Sequence, residues 1–224
     1  MNDTNELPES LRLSPIEARI LGCLVEKEAT TPEQYPLTEN ATLVACNQKT
    51  CREPVMELSV GEVGHALRQL ESRGLVRSVH GARAQRYEHR FASHYSLTLA
   101  QQALLTLLLL RGPQTLAELF SRSERMAKLT SLDDARHALE RLAEREAPLV
   151  QRLPKLPGQR EERWVQLLTG APDLAAIAAA DSASAPAAAR GREDELTARI
   201  AALEERVAAL ENALGALSPS SVNA

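Results

Sequence analysis

Between Arg73 and Arg90 the chain places five arginines: Arg73, Arg77, Arg83, Arg86 and Arg90. Glu88 is the lone carboxylate in that stretch, and His80 and His89 lie alongside. Guanidinium groups at this density suit phosphate oxygens, which they hold through charge-assisted hydrogen bonds. Just upstream, Arg68 and Gln69 are residue types that read base edges in a major groove. The bland alternative is a solvated strand with scattered charges. The candidate contacts to double-stranded DNA are therefore Arg68, Gln69, Arg73, Arg77, Arg83, Arg86 and Arg90.

A second polar group sits in "ACNQKTCRE": Asn47, Gln48, Lys49 and Arg52. It reads either as a contact loop for phosphate or a partner, or as a loop whose Asn and Gln satisfy its own backbone. The residues alone leave both open. Cys46 and Cys51 are spaced C-x4-C with no second cysteine pair, and a structural zinc site wants four ligands in recognisable spacing. No metal ligand is assigned. His65 and His137 are expected at the edge of helix packing, and Cys23 in the core. The chain has no G-x-x-x-x-G-K, G-x-S-x-G or H-E-x-x-H, so the expectation is a non-enzymatic protein with no catalytic residue and no cofactor.

These groups need elements to hold them, and helix starts are easy to read. "SPIE" from Ser14 is a capping box with Pro15 at the first helical position. "SVGE" from Ser59, "TLAQ" from Thr98 and "TLAE" from Thr115 repeat the pattern, and "SLDD" from Ser131 is a shorter-armed variant. Apolar residues at helical spacing follow: Ile16, Ile20, Cys23 and Leu24 in one helix, then Val63, Ala66, Leu67 and Leu70 in another. Gly74 ends the second of these. "LVRSV" and "QRYEHRF" around "HGARA" read as a β-hairpin, with Arg86, Glu88 and Arg90 on one side and Tyr87 and Phe91 turned inward.

The order then repeats. Helix Thr98–Arg111, a short helix from Thr115 to about Ser123, and a third helix Ser131–Glu146 precede a hairpin made of "LVQRL" and "RWVQLL". The third helices even share "HAL", a Leu three residues on, and a final Arg (Arg73 and Arg145). Three helices closed by a hairpin is the winged-helix arrangement, and here it occurs twice. Leu104, Leu105 and Leu107 to Leu110 cover nearly every side of their helix, which predicts burial on more than one face. The second domain's third helix shows Asp134, His137, Glu140, Arg141 and Glu144, a stripe poorly suited to a phosphate backbone.

The stretch "LSPIEARILGCLVEKEATTP" followed by "QYPLTENATLVACNQKTCREPV" resembles the YceH family of bacterial proteins. Tyr35-Pro36-Leu37, Asn40-Ala41, Ala45-Cys46-Asn47-Gln48-Lys49, Arg52 and Pro54-Val55 carry the likeness, over roughly residues 12–168. The resemblance implies a tandem winged-helix fold and no particular activity. Cys51 departs from it, standing where the family pattern has Asn, which argues against a shared metal site there.

From Leu196 a heptad seam runs through Ile200, Leu203, Val207, Leu210, Leu214 and Leu217. Arg199 and Arg206 fall at g and Glu204 and Glu211 at e, which favours a parallel pair. Leu196, Ile200, Leu203, Val207, Leu210 and Leu214 are the candidate dimerisation residues; the rival is a helix that packs on its own chain.

Bulk composition bounds the partners. Aromatic residues make up 3% of 224 residues, too few for a row of base-stacking platforms. The net charge of −4 sits at the ends: residues 14–95 balance ten basic against ten acidic groups, whereas 171–224 carry four against eight. The apolar run Ala103–Leu110 is too short to span a bilayer, the N-terminus "MNDTNELPES" is polar, and three cysteines suit a reducing compartment, so a cytoplasmic protein off the membrane is expected.

The expected fold is mainly α with small β-hairpins (α+β). A disordered N-terminus (1–12) precedes winged-helix domains at 13–95 and 96–169. An Ala-rich linker (170–192), a coiled-coil helix (193–217) and a disordered tail (218–224) follow. The expected role is double-stranded DNA binding as a transcriptional regulator, and as a homodimer. The alternative is an adaptor whose winged helices bind a protein partner; the fold alone does not decide between them.

Overall fold

The structure is a computed structural model that describes residues 7–80, 84–155, 159 and 161–179. Arg83, residues 1–6, the heptad residues Leu196 to Leu217 and the tail 218–224 lie outside the described residues.

The first half begins where the Ser14 hydroxyl accepts from the Glu17 N–H and the Glu17 carboxylate accepts from the Ser14 N–H, 3.2 and 2.7 Å. That box launches α1 (Pro15–Thr30). Strand β1 (Leu37–Thr38) leads into α2 (Glu39–Cys46), and α3 (Val60–Ser72) starts from the Ser59–Glu62 box. Gly74, at φ +71, ends α3: its own N–H reaches the Glu71 carbonyl and the Leu75 N–H reaches that of Leu70. Strands β2 (Val76–His80) and β3 (Gln85–His89) form the hairpin, and a short α4 (Phe91–Tyr95) closes the half.

The second half repeats the plan with α5 (Leu99–Arg111), β4 (Gln114–Thr115), α6 (Leu116–Ser123), α7 (Leu132–Ala143), β5 (Val150–Leu153) and β6 (Arg163–Gln166). Each hairpin gains a third antiparallel strand from the residues just before the second helix, giving the orders β1-β3-β2 and β4-β6-β5. These two-residue strands were not foreseen, because two residues hold no alternation to detect. Helix α7 stops at Ala143, short of Glu146: the Leu149 N–H turns back to the Leu142 carbonyl and starts the hairpin.

In both sheets alternation sets the core face. Leu37 pairs with Tyr87, and both are buried; Gln114 pairs with Trp164 in the same way. Residues 101–110 of α5 are buried without a break, because α5 packs on α1 as well as on α6 and α7. Each buried Leu contributes about 1.5–3 kcal/mol, so this helix holds much of the core.

The α1–α5 contact joins the halves into one compact unit that runs to Pro172. It is close at Gly22, where an added Cβ would lie 2.8 Å from Leu110 Cδ2. Backbone bonds cross the seam from Glu53 N–H to Leu110 O and from Leu13 N–H to Leu168 O, both at 2.7 Å, and within the first half Tyr95 O–H reaches Leu11 O at 2.9 Å. Beyond Pro172, residues 174–179 are helical, with Asp173 accepting from the Ala175 and Ala176 N–H groups. Among the described residues no helix is long and apolar enough to cross a membrane.

Candidate nucleic-acid interface

Helix α3 divides cleanly. Val63, Ala66, Leu67 and Leu70 are buried, whereas Glu62, His65, Arg68, Gln69 and Ser72 are exposed. Gly64 lets Glu39 of α2 close against α3, since a Cβ there would meet the Glu39 carboxylate at 3.1 Å. His65 and His137 both stand exposed on their helices, not at a packing edge. The side chains of Arg68 and Gln69 make no hydrogen bond or ion pair with another described residue.

From Ser59 to Arg90 the chain has six arginines and three carboxylates. Each carboxylate already has an internal task. Hydrogen bonds from the Ser59 hydroxyl and N–H hold Glu62 below the usual carboxylate range. Hydrogen bonds from Ser78 do the same for Glu71. Glu88 lies between two arginines: its Oε1 is 2.7 Å from Arg77 Nη2 and 3.3 Å from Arg90 Nη2. Arg77 stands opposite Glu88, and Val79 opposite Arg86, so these four share the outer face of the hairpin. Arg86 donates to the Pro36 carbonyl at 2.7 Å, yet stays exposed.

Arg73 has a different role. Its guanidinium donates to the carbonyls of Ser10 and Arg12 and to the Glu17 carboxylate, tying the end of α3 to the entrance of α1. Its N–H groups are therefore spent inside the scaffold, and Arg73 leaves the set of candidate DNA contacts.

The 47–58 loop adopts the self-satisfying arrangement. Asn47 Nδ2 donates to the Leu58 carbonyl and Asn47 Oδ1 accepts from the Leu58 N–H, both at 2.8 Å. Arg52 is buried: it donates to the Ala45 and Cys51 carbonyls, to Gln48 and to both oxygens of Glu26. Arg52 is thus a core residue rather than a surface contact, and of the four loop residues only Lys49 is fully exposed. Hydrogen bonds to Glu26 raise the Arg52 pKa against the burial that lowers it.

Sequence reasoning missed Arg19. It is 1% exposed and donates to the Cys46 and Pro54 carbonyls at 3.1 and 2.6 Å. Burial lowers its pKa. Nothing in a single sequence separates an arginine that pins a loop from one that faces water. Cys23 is buried as expected, and its Sγ donates to the Ala45 carbonyl at 3.3 Å. Among the described residues no three His, Cys, Asp or Glu side chains gather as a metal site would require.

The second half presents a different surface. Its third helix and hairpin, from Ser131 to Gln166, carry seven basic and seven acidic groups. Asp133 pairs with Arg136 at 2.8 Å and Arg152 with Glu162 at 3.3 Å. Asp134 accepts from the Thr130 N–H and hydroxyl, and these bonds hold it below the usual carboxylate range.

Comparison with known proteins places the chain among relatives of the same length. A family model described as "Protein of unknown function, DUF480" matches residues 13–159. A UPF0502 protein of Xanthomonas campestris pv. campestris is 55% identical over 215 residues, 96% of each chain. One from Mesorhizobium japonicum is 55% identical over 205 residues, 92% of this chain and 96% of the relative. A third, from Stenotrophomonas maltophilia, is 52% identical over 204 residues, 91% of this chain and 93% of its own.

Proposed function

From the premise that this chain belongs to DUF480, a family of unknown function, we propose that it is a tandem winged-helix protein that binds double-stranded DNA without catalysing a reaction. The single observation that carries the reading is the first half's outer surface. Among the described residues Arg68, Arg77, Arg86 and Arg90 are exposed there, and each of the three carboxylates, Glu62, Glu71 and Glu88, is held by a neighbour. In this reading α3 enters a major groove and presents Arg68 and Gln69 to base edges. Arg77, Arg83, Arg86 and Arg90 line the flanking backbone. The heptad segment from Leu196 joins two copies in parallel, and the pair acts as a cytoplasmic regulator on a site with two related halves.

A second reading has its own support. Val44, Val55 and Val60 are 60%, 51% and 53% exposed around the α2–α3 connection, and the second half's surface is charge-balanced. Both suit an adaptor that docks another protein.

A salt series on generic duplex DNA separates the two. Neutralising up to four phosphates per protomer gives a slope of log affinity against log salt as steep as about −3.6. Changing Arg77, Arg83, Arg86 and Arg90 to Ala flattens that slope. Changing Arg68 and Gln69 to Ala leaves the slope closer to wild type but erodes preference between sequences. No binding at low salt overturns the DNA reading in favour of the adaptor.

A further inference from the structure

Resting on the DNA reading above, we propose that Glu88 occupies a phosphate subsite of the first hairpin and so limits how tightly the protein holds a nucleic-acid backbone. One carboxylate oxygen, Glu88 Oε1, lies within ion-pair distance of two guanidiniums, Arg77 Nη2 at 2.7 Å and Arg90 Nη2 at 3.3 Å. That is the arrangement in which two arginines share a phosphate oxygen: an anionic acceptor between forked donors. Both arginines face solvent, with side chains 57% and 43% exposed, while Glu88 is 23% exposed. Strand register puts Arg77, Glu88 and Arg86 on the outer face of the sheet, where a duplex flanking α3 would run. Among the described residues of the second hairpin, Arg152 pairs with Glu162 at 3.3 Å.

The energetics allow exchange. Solvent-exposed ion pairs contribute about 0.2–1 kcal/mol each, so a phosphodiester can open them at small cost. With the Glu88 carboxylate beside them, however, one of the two positive charges is cancelled. A phosphate arriving nearby feels the remaining charge alone. Glu88 therefore holds down affinity for any backbone, and discrimination falls to the base-reading side chains of α3.

The test compares wild type, Glu88→Gln and Glu88→Asp on one generic duplex across a salt series, with circular dichroism and thermal unfolding on each. Gln keeps the shape and removes the charge. The expected result is a three- to tenfold gain, about what one unit charge some 6 Å from a phosphate is worth in a high-dielectric surface setting. The slope should steepen by about 0.9, one more phosphate neutralised, and Glu88→Asp should stay near wild type. A merely structural carboxylate would shift the unfolding temperature and leave the slope alone. Wild-type binding with no gain and an unchanged slope in Glu88→Gln overturns this proposal and leaves the DNA reading standing. Failure of all three proteins to bind at low salt overturns the DNA reading, and this one with it.

Discussion

Arg73 and Arg145 do the same work at equivalent places in the two halves. Each follows its half's third helix, and each guanidinium donates to two carbonyls of the segment entering that half's first helix. Arg73 reaches Ser10 and Arg12; Arg145 reaches Tyr95 and Ser96 at 2.6 and 2.7 Å. The repeated arginine is a bracket that closes each half's helices into a ring.

Removing a bracket should cost stability. Arg73→Ala loses two carbonyl partners and the Glu17 pair, and should lower unfolding free energy by about 1–3 kcal/mol in urea titration. Arg145→Ala should behave alike. Lysine in either place should rescue little, because one ammonium cannot span carbonyls that a planar fork bridges.

Gly22 makes room for Leu110, and the fit has no slack. Gly22→Ala puts a methyl group 2.8–2.9 Å from Leu110 Cδ2 and Cγ, in a fully buried site. The expected loss is about 1–3 kcal/mol. Pairing it with Leu110→Ala should cost less than the sum of the single changes, a coupling that a double-mutant cycle would read.

The Arg52 side chain is fully buried and Glu26 is partly buried, and the two pair through both carboxylate oxygens. Glu26→Ala leaves a buried cation unmatched and should cost about 3–5 kcal/mol. The loop from Asn47 to Leu58 should then become sensitive to proteolysis, which limited digestion followed by mass spectrometry would locate.

Acid should destabilise the fold in a histidine window. Burial lowers the pKa of His89 despite Glu28 at 2.8 Å, and burial followed by Arg73 lowers that of His94, both from an ordinary 6.5. A folded-state pKa below the unfolded one means that the unfolded chain binds more protons as pH falls through 6.5. The stability these groups contribute is thus complete above 6.5 and declines below it. The lowered carboxylates Glu71 and Glu118 lose theirs only below 4.5. The unfolding temperature should fall between pH 7.5 and 5.5, and His89→Gln with His94→Asn should flatten that fall.

Of three cysteines, Cys23 and Cys46 are wholly buried and Cys51 is exposed at φ +62. One thiol per folded chain should react promptly with a disulfide reagent, three after unfolding, and Cys51→Ala should abolish the prompt one.

Local chemistry made much of this architecture legible. Ser14, Ser59, Thr98 and Thr115 announce helix starts because a capping box needs only four adjacent residues, and all four boxes form. The core stripe of α3 is equally plain from its spacing. What stayed hidden depends on partners distant in sequence. Arg52 and Arg68 look alike in the chain, yet Arg52 meets Glu26 in the interior and Arg68 meets solvent. Arg73 sat in a basic run and read as a contact, because its carbonyl partners lie 61 and 63 residues away. The third strands escaped for the opposite reason: Leu37–Thr38 and Gln114–Thr115 are too short for any period to show.

The seam between α1 and α5 has a geometric consequence. With Gly22 against Leu110 and the Glu53–Leu110 and Leu13–Leu168 bonds across the junction, the two halves are braced directly against each other. The surfaces offered by α3 and α7 are therefore set at one separation and one angle, like the jaws of a fixed gauge. Any molecule long enough to touch both is selected for its shape before a single side chain is read.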